Sequence, residues 1–324
     1  MKSTTLTKGD RARNPSARAP FLDDLIAGLG RTQKEISCKY FYDEHGSDLF
    51  DQICDLDEYY PTRTELSILR DHAPEMAHEL GEDIALIELG SGSSLKTRLL
   101  LAALRTPRAY IPVDISAEHM VRSAGSLADT FPGLRIMPVA ADFTENLPIP
   151  HTGDPRARRV VYFPGSTIGN FQPRAARRLL RRIAEMVGPG GGLLIGFDLD
   201  KDPAVLIPAY NDRLGVTAEF NRNVLIRANR ELGADFDLDA FEHRAVHVPE
   251  HERIEMHLVS LKPQAVTVGP ATFDFAEGET ILTEYSHKYS LEHIRAMTDD
   301  AGWSLGRQWL DPLGYFAVQH LTVA

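Results

Sequence analysis

The sequence lacks most of the features that would assign it to a class at once. It has two cysteines, Cys38 and Cys54, in 324 residues. That is too few for a disulfide framework or a cysteine-based zinc site, so both are read as ordinary buried thiols. No apolar run approaches the roughly 20 residues of a membrane span, and the N-terminus has no apolar signal-peptide core, so a cytoplasmic protein is expected. An excess of positive charge is also missing. The formal net charge is −11, which argues against a general nucleic-acid binder, because neutralising phosphates takes a concentrated basic surface. Asp198, Asp200 and Asp202 alternate after a strand, yet no fourth acid or histidine stands in register. A polar loop is expected there and no metal.

What is present is a composition 43% hydrophobic, enough for one large globular domain or two modest ones. The organising stretch runs from Ile84 to Asp142. Ile84-Ala85-Leu86-Ile87 suits a strand buried on both faces, and Gly90 and Gly92 break it before a Leu-rich helix from Lys96. A second apolar strand, Tyr110 to Val113, ends in Asp114, where a carboxylate can accept both hydroxyls of a ribose lying over the glycine turn. The third strand, in RIMPVAADF, closes with Asp142 and Phe143, an acid for an adenine amino group and a ring to stack on the base. The glycine spacing is not GxGxxG and no GxxxxGK[ST] occurs, while Glu88 stands inside the strand end. These details favour S-adenosylmethionine (SAM) over NAD or ATP.

Residues 1–20 are polar and basic and are expected to form a flexible tail. An amphipathic helix from Phe21 leads into a segment crowded with Tyr40, Phe41, Tyr42, Phe50, Tyr59 and Tyr60 beside acids. Each ring alone suits core packing, but as a group, rings beside carboxylates attract sulfonium and ammonium ions. A helix is expected over 62–80. After the fourth strand, Arg158 to Phe163, the loop Pro164-Gly165-Ser166-Thr167-Ile168-Gly169-Asn170 should face the reactive end of the cofactor. Asn170 suits either a substrate carboxylate or ring nitrogen, or simply a turn. The helix from Gln172 to Val187 carries five arginines opposite Leu179, Leu180 and Ile183, the pattern of a solvated face. A fifth strand covers Leu193 to Phe197. From Lys201 the pattern changes to helices over 203–214 and 216–232, then a β-rich region from 241 to about 285. A helix over 291–301 and two further strands complete the sheet.

The motifs FYDEHGSDLFDQI, EYYPTRTE, ELGSGSSLKTRLLL, FPGSTIGN, GVTAEFNRNVL, ADFDLDAFEH, ERIEM and ILTEYSHKY together resemble the ergothioneine-pathway L-histidine Nα-methyltransferases. The resemblance runs from about Tyr40 to the C-terminus. It implies an α/β fold: a class I (Rossmann-like) SAM-dependent methyltransferase sheet with an inserted α+β substrate-binding lobe. The sheet domain would comprise 62–200 and 287–324. The lobe, 21–61 and 201–286, would cover the methyl group of the cofactor. The implied activity is transfer of three methyl groups from SAM to the α-amino nitrogen of histidine, giving hercynine and S-adenosyl-L-homocysteine.

Position by position, the resemblance places Gly90, Lys96, Asp114, Asp142 and Phe143 in the SAM site, beside Gly92 of the same turn. Tyr42 falls near the reacting amine and is the catalytic candidate. Tyr59 and Asn170 hold histidine, and Tyr210 grips its α-carboxylate. Glu284 and Ser286 recognise the imidazole, with Met256 lining that side. Tyr285, His287 and Tyr289 receive no role. The alternative is a class I N-methyltransferase acting on another amino acid or small amine. A nucleic-acid amino methyltransferase would show an Asn/Asp-Pro-Pro-aromatic loop where this chain has Pro-Gly-Ser-Thr. Histidine is the expected small-molecule partner, with no nucleic acid and no membrane. With no heptad repeat or long exposed apolar helix in the pattern, a monomer is expected.

Overall fold

Hydrophobic periodicity sets the order of elements along the chain. The structure, a computed structural model, describes residues 15–92, 94–145, 147–151, 154 and 157–323. Helix α1 (Pro15–Leu29) buries Phe21, Leu25 and Leu29 on one face, and a short strand β1 (Lys34–Glu35) follows. Helix α2 (Glu44–Cys54) starts on Asp43, whose carboxylate accepts the Gly46 N–H at 2.8 Å. Helix α3 (Tyr60–Leu80) has Pro61 in its first turn, where the missing N–H costs nothing. Strand and helix then alternate through β2 (Ile84–Leu89), α4 (Leu95–Ala103), β3 (Ala109–Asp114), α5 (Ala117–Thr130) and β4 (Val139–Ala140), and β5 (Arg158–Phe163), α6 (Pro173–Val187) and β6 (Gly192–Asp198) follow. The short α7 (Pro203–Leu206) and long α8 (Val216–Leu232) lead to β7 (Phe241–Val248), β8 (Arg253–Ser260), β9 (Gln264–Val268), β10 (Ala271–Phe275) and β11 (Thr280–His287). The last elements are α9 (Leu291–Asp300), β12 (Trp303–Leu310) and β13 (Phe316–Val323).

Three boundaries differ from the sequence reading. Of the expected tail, residues 1–14 lie outside the described residues, while Pro15 to Pro20 form the first turns of α1, since proline fits a helix start. The helix expected over 203–214 is α7 plus a single 3-10 turn, Pro208–Tyr210, because Pro208 has no N–H to continue an α-helical ladder. The third strand ends at Ala140, two residues before Asp142, because the Asp142 carboxylate accepts the Thr144 N–H and hydroxyl and turns the chain there.

Contacts divide the chain into two compact units. The larger holds Tyr42–Thr217, Ala245–Glu255 and the residues from Tyr285 onward. Its seven-stranded sheet has the order β12-β13-β6-β5-β2-β3-β4. β6, β5, β2, β3 and β4 run parallel, and β13 enters antiparallel to β6. Ile87, Ile111, Val161 and Ile195 pack toward α6 and α9, whereas Leu86, Tyr110, Tyr162 and Leu194 pack with Leu69, Leu80 and Leu100 of α3 and α4. Alternate residues thus serve opposite faces, which is why these strands are apolar throughout. Chain order reverses between β2 and β5, so the crevice outside their carboxyl ends is where an open α/β sheet binds ligands.

Among the described residues, the smaller unit holds 15–41, Ala218–Arg244 and Met256–Glu284. Residues 42–61 and 201–217, expected in the lobe, pack instead with the larger unit: α2 sits on α3 and α5, and Tyr60 and Lys201 both reach Asp198. Within the smaller unit, Asn221 of α8 organises the interior. Its amide donates to the His257 carbonyl at 3.0 Å and its oxygen accepts from Thr283 at 2.6 Å. Phe41 packs on Phe220 with ring centroids 4.6 Å apart.

Candidate active site

The turn after β2 requires its glycines. Gly90 and Gly92 both have positive φ, +72° and +44°, which a side chain would strain. The Gly90 N–H is held by the Val113 carbonyl at 2.9 Å. Asp114, at the end of β3, accepts the Gly92 N–H at 3.2 Å and the Ser116 N–H at 2.9 Å, so its carboxylate is pinned to the turn. Burial raises its pKa above the ordinary carboxylate value, partly offset by those N–H groups. Phe143 lies against Gly90, at 4.0 Å from where a Cβ would stand, and meets Phe163 edge-on at 5.5 Å. Asp142 accepts the Thr144 N–H at 2.9 Å and the Thr144 hydroxyl at 2.5 Å. The buried Ser91 hydroxyl has no partner among the described residues. A glycine turn open to close approach, an oriented acid, a ring and an orphan hydroxyl fit a nucleoside-type cofactor such as SAM.

Lys96 forms an ion pair with Glu65 at 2.5 Å, and the same Glu65 oxygen accepts the Gly165 N–H at 2.8 Å. This carboxylate ties helix α4 to the loop after β5. Gly169 of that loop touches the β11 end: a Cβ there would stand 2.9 Å from the His287 carbonyl. Asn170, half-buried, ends the 3-10 turn Thr167–Asn170. Burial, reinforced by Arg253, pushes the His287 pKa down to about 4, so its imidazole is neutral.

A line of aromatic contacts joins several of the sequence-predicted residues. Tyr42 meets Phe50 at 5.7 Å, Phe50 meets Tyr59 at 6.2 Å, and Tyr59 meets Tyr210 at 6.3 Å, all edge-on. The Tyr210 hydroxyl lies 2.6 Å from Ser286 Oγ. Beneath this pair Lys288 Nζ donates to Tyr210, to Ser286 and to Asp198 Oδ2, each at 2.8 Å. Asp198 also accepts Lys201 at 2.6 Å and the Tyr60 hydroxyl at 2.7 Å. It is the last residue of β6 and only 1% exposed, where a polar loop was expected. Two lysines and a phenol compensate the burial of its charge. Burial alone would raise the Asp198 pKa, but Lys288 and Lys201 hold it below the carboxylate range. Burial opposes the Lys288 ammonium, yet the adjoining Asp198 keeps its pKa above the usual lysine value. For Lys201 burial prevails and lowers the pKa. Burial raises that of Tyr210, leaving a neutral phenol.

Met256 and Glu284 belong to the smaller unit. Met256 is buried on β8, and its carbonyl accepts the Thr283 hydroxyl at 3.0 Å, beside half-buried Glu284 on β11. The sequence reading missed Glu65, Tyr60, Lys201, Lys288 and the role of Asp198. Asp198 was accessible to the rule that picked out Asp114, an acid at the carboxyl end of a central strand. Lys288 stands two residues beyond Ser286, the spacing of one strand face. Glu65 and Tyr60 carry no local signal.

The sheet order, with a glycine turn and strand-end acids beside its switch point, defines a class I SAM-dependent methyltransferase. A family model described as histidine-specific, SAM-dependent methyltransferase matches residues 21–323. The histidine N-alpha-methyltransferase of Mycolicibacterium smegmatis is 47% identical over 97% of this chain and 98% of its own length. A protein of the same description from Mycobacterium tuberculosis is 46% identical over 91% of this chain and 92% of its own. Ergothioneine biosynthesis protein 1 of Neurospora crassa is 28% identical over 85% of this chain but 32% of its own length. The chain belongs to the SAM-dependent histidine-specific methyltransferase family. Among the described residues no helix is long and apolar enough to cross a membrane.

Proposed function

We propose that this protein transfers three methyl groups in succession to the α-amino nitrogen of L-histidine, giving hercynine for ergothioneine biosynthesis. The observation that carries the reading is the continuous line of contacts through Tyr42, Tyr59, Tyr210 and Ser286. It assembles, from distant segments, residues that the family resemblance assigns to one amino-acid substrate.

SAM, when bound, supplies an electrophilic methyl group on a sulfonium. Gly90, Gly92, Lys96, Asp114, Asp142 and Phe143 would hold it, with Asp114 taking the ribose hydroxyls and Phe143 the adenine face. Methyl transfer to an amine is an in-line displacement for which a protein mainly supplies proximity and orientation. Tyr59 and Asn170 position histidine, and Tyr210 binds its α-carboxylate. Glu284 and Ser286 satisfy the two imidazole nitrogens, with Met256 as apolar lining. A side chain that leaves those groups unpaired is rejected. The amine must arrive unprotonated, and the Tyr42 hydroxyl relays its proton to solvent water, passing on one proton as it takes up the other. The aromatic line also tolerates the cation that becomes permanent with the third methyl group.

Mass spectrometry of L-histidine incubated with the protein and SAM, with other amino acids in parallel, tests the reading. Gains of one, two and three methyl groups on histidine alone support it. Methylation of a different amine, with histidine untouched, overturns it in favour of another small-amine substrate. A monomer acting in the cytoplasm belongs to the same reading, and light scattering on the purified protein tests the first part.

A further inference from the structure

We infer that Lys288 is a positioning and specificity-determining residue: its buried ammonium orients the hydroxyls of Tyr210 and Ser286 toward the substrate. The inference rests on the reading of those two residues as histidine contacts. An ammonium has three N–H donors and no acceptor. Those of Lys288, whose side chain is 0% exposed, go to Asp198, Tyr210 and Ser286 at 2.8 Å each. Both hydroxyl oxygens therefore accept from Lys288, and neither hydroxyl hydrogen points at it. The two oxygens lie 2.6 Å apart, so one hydrogen sits between them and the other is directed out of the triangle. The adjacent positive charge polarises both hydroxyls and makes them stronger donors.

A purely structural ion pair accounts for less. Buried pairs contribute little net stability, and Asp198 already has Lys201 at 2.6 Å and the Tyr60 hydroxyl at 2.7 Å. Lys288 gives two of its three hydrogens to the hydroxyls assigned to the substrate, and one to the carboxylate.

The test is Lys288→Met, with Asp198 left paired to Lys201 and Tyr60. Binding of SAM, L-histidine and histamine, which lacks the carboxylate, is measured by calorimetry, and histidine turnover at saturating substrate in parallel. The expected result is histidine affinity about 10-fold to 100-fold weaker, the loss of a charge-assisted hydrogen bond. SAM affinity and saturated turnover stay within about threefold. The preference for histidine over histamine shrinks, which a loss of packing alone would not produce. Lys288→Gln keeps two N–H donors without the charge and falls between wild type and Lys288→Met. Should Lys288→Met lose SAM binding, Lys288→Gln carries the test by the same histidine-to-histamine ratio. An unchanged ratio in a variant that still binds SAM overturns the inference. Wild type that methylates histidine beside such a variant leaves the proposed function standing; wild type that does not methylate histidine overturns both.

Discussion

Replacing Glu88 by Gln should flatten the way stability falls as pH rises. Glu88 is 1% exposed in β2, with Thr97 Oγ1 at 2.8 and 2.7 Å from its two oxygens and the Tyr110 hydroxyl donating to Oε2. Burial outweighs those hydrogen bonds and moves its pKa from 4.5 to about 8, so the acid is neutral at pH 7. The folded value lies above the unfolded one, so between them the native state binds more protons. The stabilisation is complete below pH 4.5, declines as pH rises and is lost above the folded pKa of about 8. Integrated from pH 5 to 9, the loss is roughly 4 kcal/mol at 1.36 kcal/mol per unit. Gln keeps an oxygen for Tyr110 and an N–H for Thr97, and does not titrate. Urea unfolding of both proteins across this range gives a difference curve from which other groups cancel. The variant should gain on wild type by about that amount from pH 5 to 9. Parallel curves would refute the argument and show Glu88 ionised in the fold.

Two other substitutions separate the ligands and probe the loop. Asp114→Ala should weaken SAM binding about 10-fold to 100-fold with a small effect on histidine, and Glu284→Ala should do the reverse. Calorimetry checks this division, and equal loss of both ligands in both variants would contradict it. Gly169→Ala places a Cβ 2.9 Å from the His287 carbonyl and 3.3 Å from its nitrogen. Neither backbone atom yields cheaply, so stability should drop about 1–3 kcal/mol, read as a lower melting temperature, with a raised KM for histidine. Unchanged values would show that the loop moves freely against β11.

The parts legible in the sequence are those whose signal is local. A strand buried on both faces announces itself as an unbroken apolar run, and the acid ending β3 follows within the same short stretch as the Gly90 turn. The proposed cofactor half of the site could therefore be read from Ile84 to Phe143, except that β4 stops before Asp142, whose carboxylate holds a turn through Thr144. The apolar stripe of α6 likewise predicted that its arginines face outward, and Leu179, Leu180 and Ile183 are buried as expected, but Arg182 is half-buried and donates to the Thr144 and Glu145 carbonyls. The residues proposed to hold the substrate became visible only through family motifs, since a lone Tyr59 or Tyr210 in a sequence is as good a core residue as a ligand contact.

By itself, then, the sequence determined the strand-turn-helix unit, the SAM-type strand ends and the change of pattern after β6. Each rests on hydrophobic period, glycine freedom and an acid at a strand end, all short-range properties of the chain. Only the tertiary structure decided that Asp198 is a buried hub for Lys201, Lys288 and Tyr60, and that Glu65 ties Lys96 to the loop at Gly165. A buried carboxylate takes whichever cation the fold brings to it. Tyr60 and Lys288 reach Asp198 from 138 and 90 residues away, distances over which the order of residues carries no electrostatic information until the sheet has closed.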